Sequence, residues 1–256
     1  MRPTLLIVED NEEMLDFIAG DLSERYAVQK AANGKEALAI LQEQTVHLII
    51  SDVMMPEMDG FEFCRLIKSS VDYSHIPVVL LTAKNALQSK IQGLELGADA
   101  YIEKPFSPEF LQAQVANLLA NRDKLKDYFA NSPLVHIRSM AHTKSDEQFL
   151  ETLRGIIYEH IEEEELDVEM IARKMNMSRP TLYRKIKSLS NLTLHELINL
   201  SRLKRAAELL ASGDYKIFEV AAMVGFRSQT NFGRSFAKQF GVSPSAYNQQ
   251  LRQDNR

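Results

Sequence analysis

The stretch Leu48–Gly60, which reads LIISDVMMPEMDG, constrains the fold of this chain more than any other part of its sequence. Its first four residues are mostly apolar and lack helical periodicity, which is typical of a strand buried on both faces of a parallel sheet. Asp52 follows at once, and the turn formers Pro56, Asp59 and Gly60 come after it. Open α/β sheets place ligands at the carboxyl ends of such strands, so Asp52 is a candidate site residue.

The length of 256 residues fits one large domain or two domains of ordinary size. No apolar run approaches the ~20 residues needed to span a bilayer, so we predict no membrane segment. The N-terminus has a short apolar patch followed directly by acidic residues, unlike a signal peptide. The single cysteine, Cys64, excludes an internal disulfide framework and favours a cytoplasmic location.

The charge is distributed unevenly along the chain. Residues 1–122 carry 10 Lys and Arg against 18 Asp and Glu, a net charge of −8. Residues 123–165 carry 5 against 10, and residues 166–256 carry 15 against 7, a net charge of +8 for the last segment. An acidic front and a basic rear indicate two domains with different partners, and the basic one is expected to bind a polyanion.

Short apolar strands alternate with amphipathic helices over the first 120 or so residues. The predicted strands are Thr4–Val8, Tyr26–Ala32, Leu48–Ser51, Pro77–Leu81 and Ala100–Glu103; the predicted helices are Asn11–Leu22, Gly34–Gln42, Gly60–Ser69, Leu87–Leu96 and a long one from Ser107 to about Phe129. This alternation predicts a doubly wound, five-stranded parallel sheet of the flavodoxin-like kind, with helices on both faces. In the third helix, Phe63, Leu66 and Ile67 are predicted to face the core, with Cys64 as a buried or half-buried thiol.

Polar side chains follow four of the five predicted strands. Glu9 and Asp10 follow the first strand, Asp52 the third, Thr82 the fourth and Lys104 the fifth, so all five should meet at one rim of the sheet. Three close carboxylates repel one another and require a cation, and all-oxygen ligands suit Mg²⁺. An aspartate beside Mg²⁺ and a lysine can act as a nucleophile toward a phosphoryl group, whose charge both cations would stabilise.

Residues 3–122 resemble the receiver domain of response regulators. The motifs that carry the resemblance are LLIVEDN, SDVMMPEMDGFEF, VVLLTA and GADAYIEKPF, which together are highly specific. The resemblance implies that Asp52 is the phosphoacceptor and that Glu9, Asp10, Asp52 and the main-chain oxygen of Met54 bind Mg²⁺. It also implies that Thr82 is the switch hydroxyl, Lys104 the phosphate-binding lysine and Tyr101 the aromatic switch residue, with a cis peptide bond at Lys104–Pro105.

The middle of the chain is predicted to connect two domains. Pro133 stops any continuous helix, so we assign residues 1–130 to a receiver domain, 131–147 to a linker and 148–256 to a second domain. Helical periodicity resumes over Glu147–Glu165, which ends in four acidic residues. Those four acids form either a solvated segment or an electrostatic latch against the basic domain.

The basic rear of the chain contains a weak internal repeat of two helix-turn-helix units. In the first, a short helix over Val168–Met175 precedes a helix capped by Ser178. In the second, a short helix over Ile217–Met223 precedes one capped by Ser228 that runs to Phe240. A long helix over Thr193–Ser212 joins the two units, so this domain is predicted to be all-α.

Residues 150–252 resemble the AraC-type DNA-binding domain, most strongly over IFEVAAMVGFRSQTNFGRSFAKQFGVSPSAY. By position, the residues facing double-stranded DNA would be Arg179, Pro180, Thr181, Tyr183 and Arg184 in the first unit and Arg227, Ser228, Gln229, Thr230, Asn231 and Arg234 in the second. This chemistry suits base readout, because Arg reads guanine and Gln or Asn reads adenine, while Ser228 suits a phosphate or positioning contact.

Together the two resemblances predict a transcription regulator that is phosphorylated by a sensor histidine kinase and forms a homodimer when phosphorylated. They predict no enzymatic activity beyond phosphorylation and dephosphorylation of the chain itself. Two alternatives remain open. The chain could be the cytoplasmic C-terminal portion of a hybrid sensor kinase, because that domain order is familiar from such hybrids, or it could be a phosphorylation-dependent protein-interaction module.

Overall fold

The computed structural model describes residues 2–83, 96–131, 137–141, 143–164 and 166–254. The chain forms two compact units. The first comprises Met1–Lys124 with His142–Asp146, and the second comprises Leu125–Ala141 with Glu147–Arg256. Among the described residues, no helix combines the length and the apolar character needed to cross a membrane.

The first unit contains a five-stranded parallel sheet with the order β2-β1-β3-β4-β5. Its strands are β1 (Thr4–Val8), β2 (Ala27–Ala31), β3 (Leu48–Asp52), β4 (Val78–Ala83) and β5 (Ala100–Lys104). The register pairs Val8 with Ser51 and Asp52 with Leu81, so the carboxyl ends of β1, β3 and β4 lie side by side. The predicted sheet is therefore confirmed.

The helices of this unit cover both faces of the sheet. They are α1 (Glu12–Ser23), α2 (Gly34–Glu43), α3 (Gly60–Ser69) and α4 (Pro108–Asn131), the last of which extends into the second unit. One apolar cluster packs α2 and α3 against one face, and a second packs α1 and α4 against the other. The predicted helix Leu87–Leu96 falls almost entirely outside the described residues.

Side-chain caps fix where these helices begin. The Asn33 side chain accepts hydrogen bonds from the main-chain N–H groups of Lys35 and Glu36, both at 3.0 Å. The Asp59 side chain accepts one from the N–H of Glu62 at 2.7 Å. These acceptors satisfy N–H groups that have no partner within the helix, which is why turn residues in the sequence mark the helix starts.

One predicted core position in α3 is wrong. Phe63 and Ile67 are fully buried, but Leu66 is 40% exposed. Lys68 is buried instead, since its ammonium group donates to the Ile76 carbonyl at 2.8 Å and to the Asp99 carboxylate at 2.6 Å. Helical spacing placed Leu66 near the edge of the apolar face, and no local pattern signalled the partners of Lys68.

The Cys64 thiol is expected to be unreactive in the folded protein. It is fully buried, and burial raises its pKa to about 11. Relative to the ordinary value of 9.0, this shift leaves roughly a hundredfold less thiolate at pH 8. Iodoacetamide at pH 8 should label the denatured chain and leave the native chain almost unlabelled; equal labelling of both would contradict this burial.

The second unit is all-α among the residues described. Its helices are the end of α4, then α5 (Lys144–Glu159), α6 (Val168–Lys174), α7 (Arg179–Ser190), α8 (Leu194–Ser212), α9 (Ile217–Met223), α10 (Gln229–Phe240) and α11 (Pro244–Asp254). Ser178 caps α7 and Ser228 caps α10 through their side chains. The pairs α6–α7 and α9–α10 form two helix-turn-helix units joined by α8, as the repeat predicts.

The segment predicted as a linker, 131–147, is partly built into this unit. A 3-10 turn over Ile137–Met140 buries both of its end residues in the core with Phe129 and Phe149. Helix α5 starts at Lys144 and ends at Glu159, earlier at both ends than the periodicity over 147–165 indicates. The domain boundaries themselves remain a prediction.

Candidate functional site

The candidate site lies at the carboxyl rim of the parallel sheet. Asp52 ends β3, Glu9 directly follows β1 and Lys104 ends β5. The Lys104 ammonium contacts Glu9 Oε2 at 2.7 Å and Asp52 Oδ1 at 2.9 Å. Both carboxylates are buried, at 2% exposed for Glu9 and 7% for Asp52. Three strands thus place a cation between two acids that are 43 positions apart in the chain.

Burial shapes the electrostatics of this site. It raises the pKa of Glu9, and the Asp52 charge acts in the same direction, while the hydrogen bond from Lys104 opposes both. Burial alone would lower the pKa of Lys104, but the hydrogen bonds to Glu9 and Asp52 raise it above its ordinary value. The lysine is therefore charged at neutral pH and partly neutralises the acidic cluster.

Asp10 joins these acids at the rim and is exposed. One carboxylate oxygen each from Glu9, Asp10 and Asp52 lies within 4.8 Å of the others, which is close enough to share one ion. The donors are all oxygen atoms, and one of the three residues faces solvent, which suits a hard cation that keeps part of its water shell. The donor set therefore fits Mg²⁺.

The other predicted site residues lie nearby but are not bonded to this cluster. Thr82 is buried near the end of β4, and its hydroxyl donates to the Ala83 carbonyl at 3.4 Å. Tyr101 lies in β5, and its buried hydroxyl has no hydrogen-bond partner among the described residues. Burial raises the Tyr101 pKa. Met54 follows Asp52 by two positions with an exposed side chain, and the Lys104–Pro105 bond is cis, as the resemblance implies.

Gly60 is a site determinant that sequence reasoning treated only as a turn former. Its N–H donates to the Val53 carbonyl at 2.9 Å, which closes the loop that follows Asp52. A Cβ atom at Gly60 would lie 2.1 Å from the main-chain oxygen of Asp52. Any side chain would therefore push the end of β3 away from α3, so glycine is required for steric reasons rather than for its φ angle.

In the second unit, the first candidate recognition helix is α7. Arg179, Pro180 and Arg184 are exposed, as a DNA-facing role requires. Thr181 and Tyr183 are only half exposed: the Thr181 hydroxyl shares a 2.8 Å hydrogen bond with Ser178, and the Tyr183 ring packs against the core. The N-terminal part of α7 therefore offers two arginines to solvent.

The second candidate recognition helix, α10, presents more polar surface. Gln229, Thr230, Asn231 and Arg234 are all exposed, while Ser228 is half-buried and its hydroxyl accepts a hydrogen bond from the Asn231 N–H. Phe232 and Phe236 lie on the opposite side and are fully buried. The helix thus has one apolar face in the core and one polar face open to a partner.

Arg227 is exposed but paired. Its guanidinium forms an ion pair with Glu164, a member of the acidic run after α5. Arg202 of α8 donates to the main-chain carbonyls of Glu163 and Glu164 and so holds this segment against the second helix-turn-helix unit. A Cβ at Gly225 would lie 2.5 Å from the Ile161 carbonyl, so the two segments are closely packed. Composition indicated the latch only as an alternative and did not identify its partner.

Two family models match the chain, one on each unit. Residues 5–116 match the response regulator receiver domain, and residues 171–250 match a helix-turn-helix domain. These ranges contain the acidic rim and both candidate recognition helices, respectively.

Three relatives of this chain agree with this division. Histidine kinase P4 of Formosa agariphila is 41% identical over 246 residues, which are 96% of this chain and 18% of that kinase. The probable transcriptional regulator ycf27 of Cyanidium caldarium is 42% identical over 129 residues, 48% of this chain and 51% of its own. Response regulator Rre1 of Synechocystis is 37% identical over 126 residues, 48% of this chain and 54% of its own.

The chain therefore spans less than a fifth of the kinase and about half of each regulator that it matches. The receiver model covers the sheet with its acidic rim, and the helix-turn-helix model covers most of the basic helical repeat. This chain therefore combines a response regulator receiver domain with an AraC-type helix-turn-helix domain.

Proposed function

We propose that this chain is a phosphorylation-controlled, sequence-specific DNA-binding regulator of transcription that accepts a phosphoryl group on Asp52 from a sensor histidine kinase in the cytoplasm. One observation carries the proposal: the Asp52 carboxylate is held 2.9 Å from Lys104 at the rim of a receiver that shares its chain with two helix-turn-helix units. This arrangement supports a single molecule that both receives the phosphoryl signal and binds DNA.

The proposed reaction transfers a phosphoryl group from a histidine nitrogen to a carboxylate oxygen of Asp52. A carboxylate oxygen of Asp52 attacks the phosphorus of the phosphohistidine, the P–N bond breaks, and the histidine nitrogen keeps the electron pair and takes up a proton. Glu9, Asp10, Asp52 and the Met54 main-chain oxygen would hold Mg²⁺, which when bound neutralises charge on the phosphoryl oxygens. Lys104 is positioned to bind the product phosphate, because it already contacts Asp52.

The response would begin at the same rim. Phosphate oxygens would compete with Glu9 for the Lys104 ammonium and would offer an acceptor to the Thr82 hydroxyl, which donates to the Ala83 carbonyl at 3.4 Å. The Tyr101 hydroxyl is buried without a partner among the described residues, so no hydrogen bond to these residues would be lost if the ring changed position together with Thr82. These changes would favour a homodimer.

On the DNA side, α7 and α10 would enter major grooves. Exposed Arg179, Arg184 and Arg234 suit guanine or phosphate, and Gln229 and Asn231 suit adenine. The arrangement favours DNA over the interaction-module alternative, because both recognition helices expose these side chains together. DNA affinity that falls steeply with salt is the corresponding observable.

The test is selection of bound sequences from a random DNA pool by the full chain, with and without acetyl phosphate and Mg²⁺. We expect a common repeated sequence to be enriched and its affinity to rise on phosphorylation, and EDTA should remove that rise. Enrichment of no sequence in either state would overturn the proposal of specific DNA binding. If the affinity for DNA is the same with and without acetyl phosphate, the proposal that phosphorylation controls DNA binding is overturned.

The Glu164–Arg227 pair is expected to weaken DNA binding. Replacing Glu164 by glutamine should tighten binding by roughly 1.4- to fivefold, since exposed ion pairs are worth about 0.2–1 kcal/mol. Glu162→Gln is the matched control, because Glu162 is an exposed member of the same run and the substitution changes the net charge equally. Equal gains from both variants in fluorescence anisotropy would assign the effect to net charge rather than to the pair.

A further inference from the structure

A second cluster of charged residues lies inside the first unit, at the opposite end of the sheet from Asp52. The Lys68 ammonium donates to Asp99 Oδ2 at 2.6 Å, and the Arg122 guanidinium contacts Asp99 Oδ1 at 3.1 Å. Asp99 Oδ2 also accepts the Val78 N–H at 2.8 Å. One carboxylate thus joins α3, α4 and the starts of β4 and β5.

Asp146 extends this cluster to the start of α5. It is fully buried, and its Oδ1 accepts a 2.8 Å hydrogen bond from the hydroxyl of Ser74, which is also fully buried. The Asp146 charge also reaches Arg122: burial lowers the pKa of Arg122, and the carboxylates of Asp99 and Asp146 oppose that shift. The cluster therefore contains two cations and two carboxylates, and its formal charge is balanced.

A buried carboxylate is costly unless it is paired and hydrogen-bonded. Asp146 keeps its side-chain hydrogen bond only while the first turn of α5 stays against Ser74. The Thr143 hydroxyl accepts the Asp146 N–H at 3.0 Å and fixes the same turn. Beyond this turn, α5 contributes Phe149, Leu150 and Leu153 to the core of the second unit.

The Asp99 carboxylate, which the Arg122 guanidinium also contacts, connects this cluster to β5. Asp99 directly precedes β5, the strand that carries Tyr101 and Lys104. The Lys68 ammonium that binds Asp99 also donates to the Ile76 carbonyl at 2.8 Å, two positions after Ser74, so a displacement of Asp99 acts on the segment that holds Asp146. Asp99, Lys68 and the segment from Ser74 to Ile76 therefore form a physical connection from β5 to the start of α5.

We propose that Asp146 is a positioning residue for the phosphorylation response: together with Ser74 it holds the first turn of α5, so that movement of β5 in the phosphorylated receiver is passed to the helix that enters the DNA-binding unit. This inference rests on the proposed function. It identifies the route by which the signal leaves the receiver.

The test uses the full chain and two variants, Asp146→Asn and Ser74→Ala. Both should accept phosphate from acetyl phosphate at the wild-type rate, since neither side chain lies at the rim. The ratio of phosphorylated to unphosphorylated DNA affinity should fall from about tenfold in the wild type to less than about twofold in each variant. Asp72→Asn, which removes an exposed carboxylate close to Ser74 in the chain, should keep the wild-type ratio.

A purely structural role would lower the melting temperature of the variants and leave the ratio intact, and that result overturns the proposal. If Asp146→Asn does not fold, Ser74→Ala decides, because it removes a single hydroxyl. Hydrogen exchange over residues 144–150 separates this inference from the proposed function. Phosphorylation should change the rate of hydrogen exchange over these residues in the wild type even when no DNA is present. If the exchange rate is the same in the phosphorylated and unphosphorylated wild type, the inference is overturned, although phosphorylation itself is still established.

Discussion

Replacing Asp52 by asparagine is expected to abolish phosphorylation of the chain by acetyl phosphate in the presence of Mg²⁺. The amide has nearly the same shape, but it lacks the anionic oxygen that attacks phosphorus and removes one ligand of the acidic cluster. Intact-mass measurement after incubation with the donor should show the phosphorylated species in the wild type alone. Glu57→Gln is the control, since Glu57 is an acidic residue of the same loop whose carboxylate is exposed and forms a surface ion pair with Lys35.

The fold and the unphosphorylated DNA affinity should survive this change. Lys104 keeps its 2.7 Å contact with Glu9, and the apolar clusters on both faces of the sheet do not involve Asp52. The melting temperature should therefore stay near or above that of the wild type, because one of three mutually repelling acids is lost. Labelling of Asp52→Asn to the wild-type extent would show that another side chain is the acceptor.

The parts of this fold that sequence predicts well are those set by near neighbours. The strands are continuous apolar runs, and the helix starts at Asn33 and Asp59 are marked by side chains that cap N–H groups two or three positions away. The rim was predicted from polar residues at the ends of strands that lie far apart in the chain, and the family motifs supplied the roles of those residues. Periodicity and turn chemistry are local, so local sequence contains them.

The parts that sequence could not predict depend on partners far along the chain. A lysine near the end of a helix is usually exposed to solvent, but Lys68 is buried because its ammonium group is paired with Asp99, 31 positions later. Lys185 is a charged residue of α7, yet it is buried with its ammonium 5.7 Å from the centre of the Phe149 ring. Arg227 pairs with Glu164, 63 positions earlier. No pattern within one helix specifies such pairs.

The same distinction explains why the Asp146 cluster was missed. Residues 142–146 were assigned to a linker because they are polar and follow Pro133, yet Asp146 is fully buried. Polar composition indicates exposure only when a residue lacks a buried partner, and here Ser74 supplies one from 72 positions away. A connector can therefore be polar and still be an ordered part of a domain.

The second unit contains two apolar clusters along one helix, and this predicts a selective loss of DNA binding. The first half of α8 packs with α5, α6 and α7, and its second half packs with α9 and α10. Phe232 is fully buried in the second cluster, with its ring centre 5.4 Å from that of Phe226 and 5.6 Å from that of Phe236. It is therefore the side chain whose loss should most directly release α10.

Phe232→Ala is expected to destabilise the second cluster by about 3–5 kcal/mol, the usual cost of removing a buried phenylalanine. The free energy of unfolding of a helix-turn-helix unit of this size is only a few kcal/mol, so this loss should disorder α10. Specific DNA affinity should then fall by more than about a hundredfold. Urea unfolding and anisotropy on the selected DNA measure the two effects. Phe218→Ala is the matched control, because that ring is 54% exposed and its removal should cost less than about 0.5 kcal/mol.

Because the two clusters share only α8, amide protection in α7 should persist in Phe232→Ala while protection in α10 is lost. Phosphorylation of Asp52 should also persist, since the receiver has its own cores on the two faces of its sheet. A simultaneous loss of protection in α7 and α10 would show instead that the two helix-turn-helix units unfold as one. In that case α8 would transmit instability between the recognition helices, and a weakened contact at either one would weaken DNA binding by both.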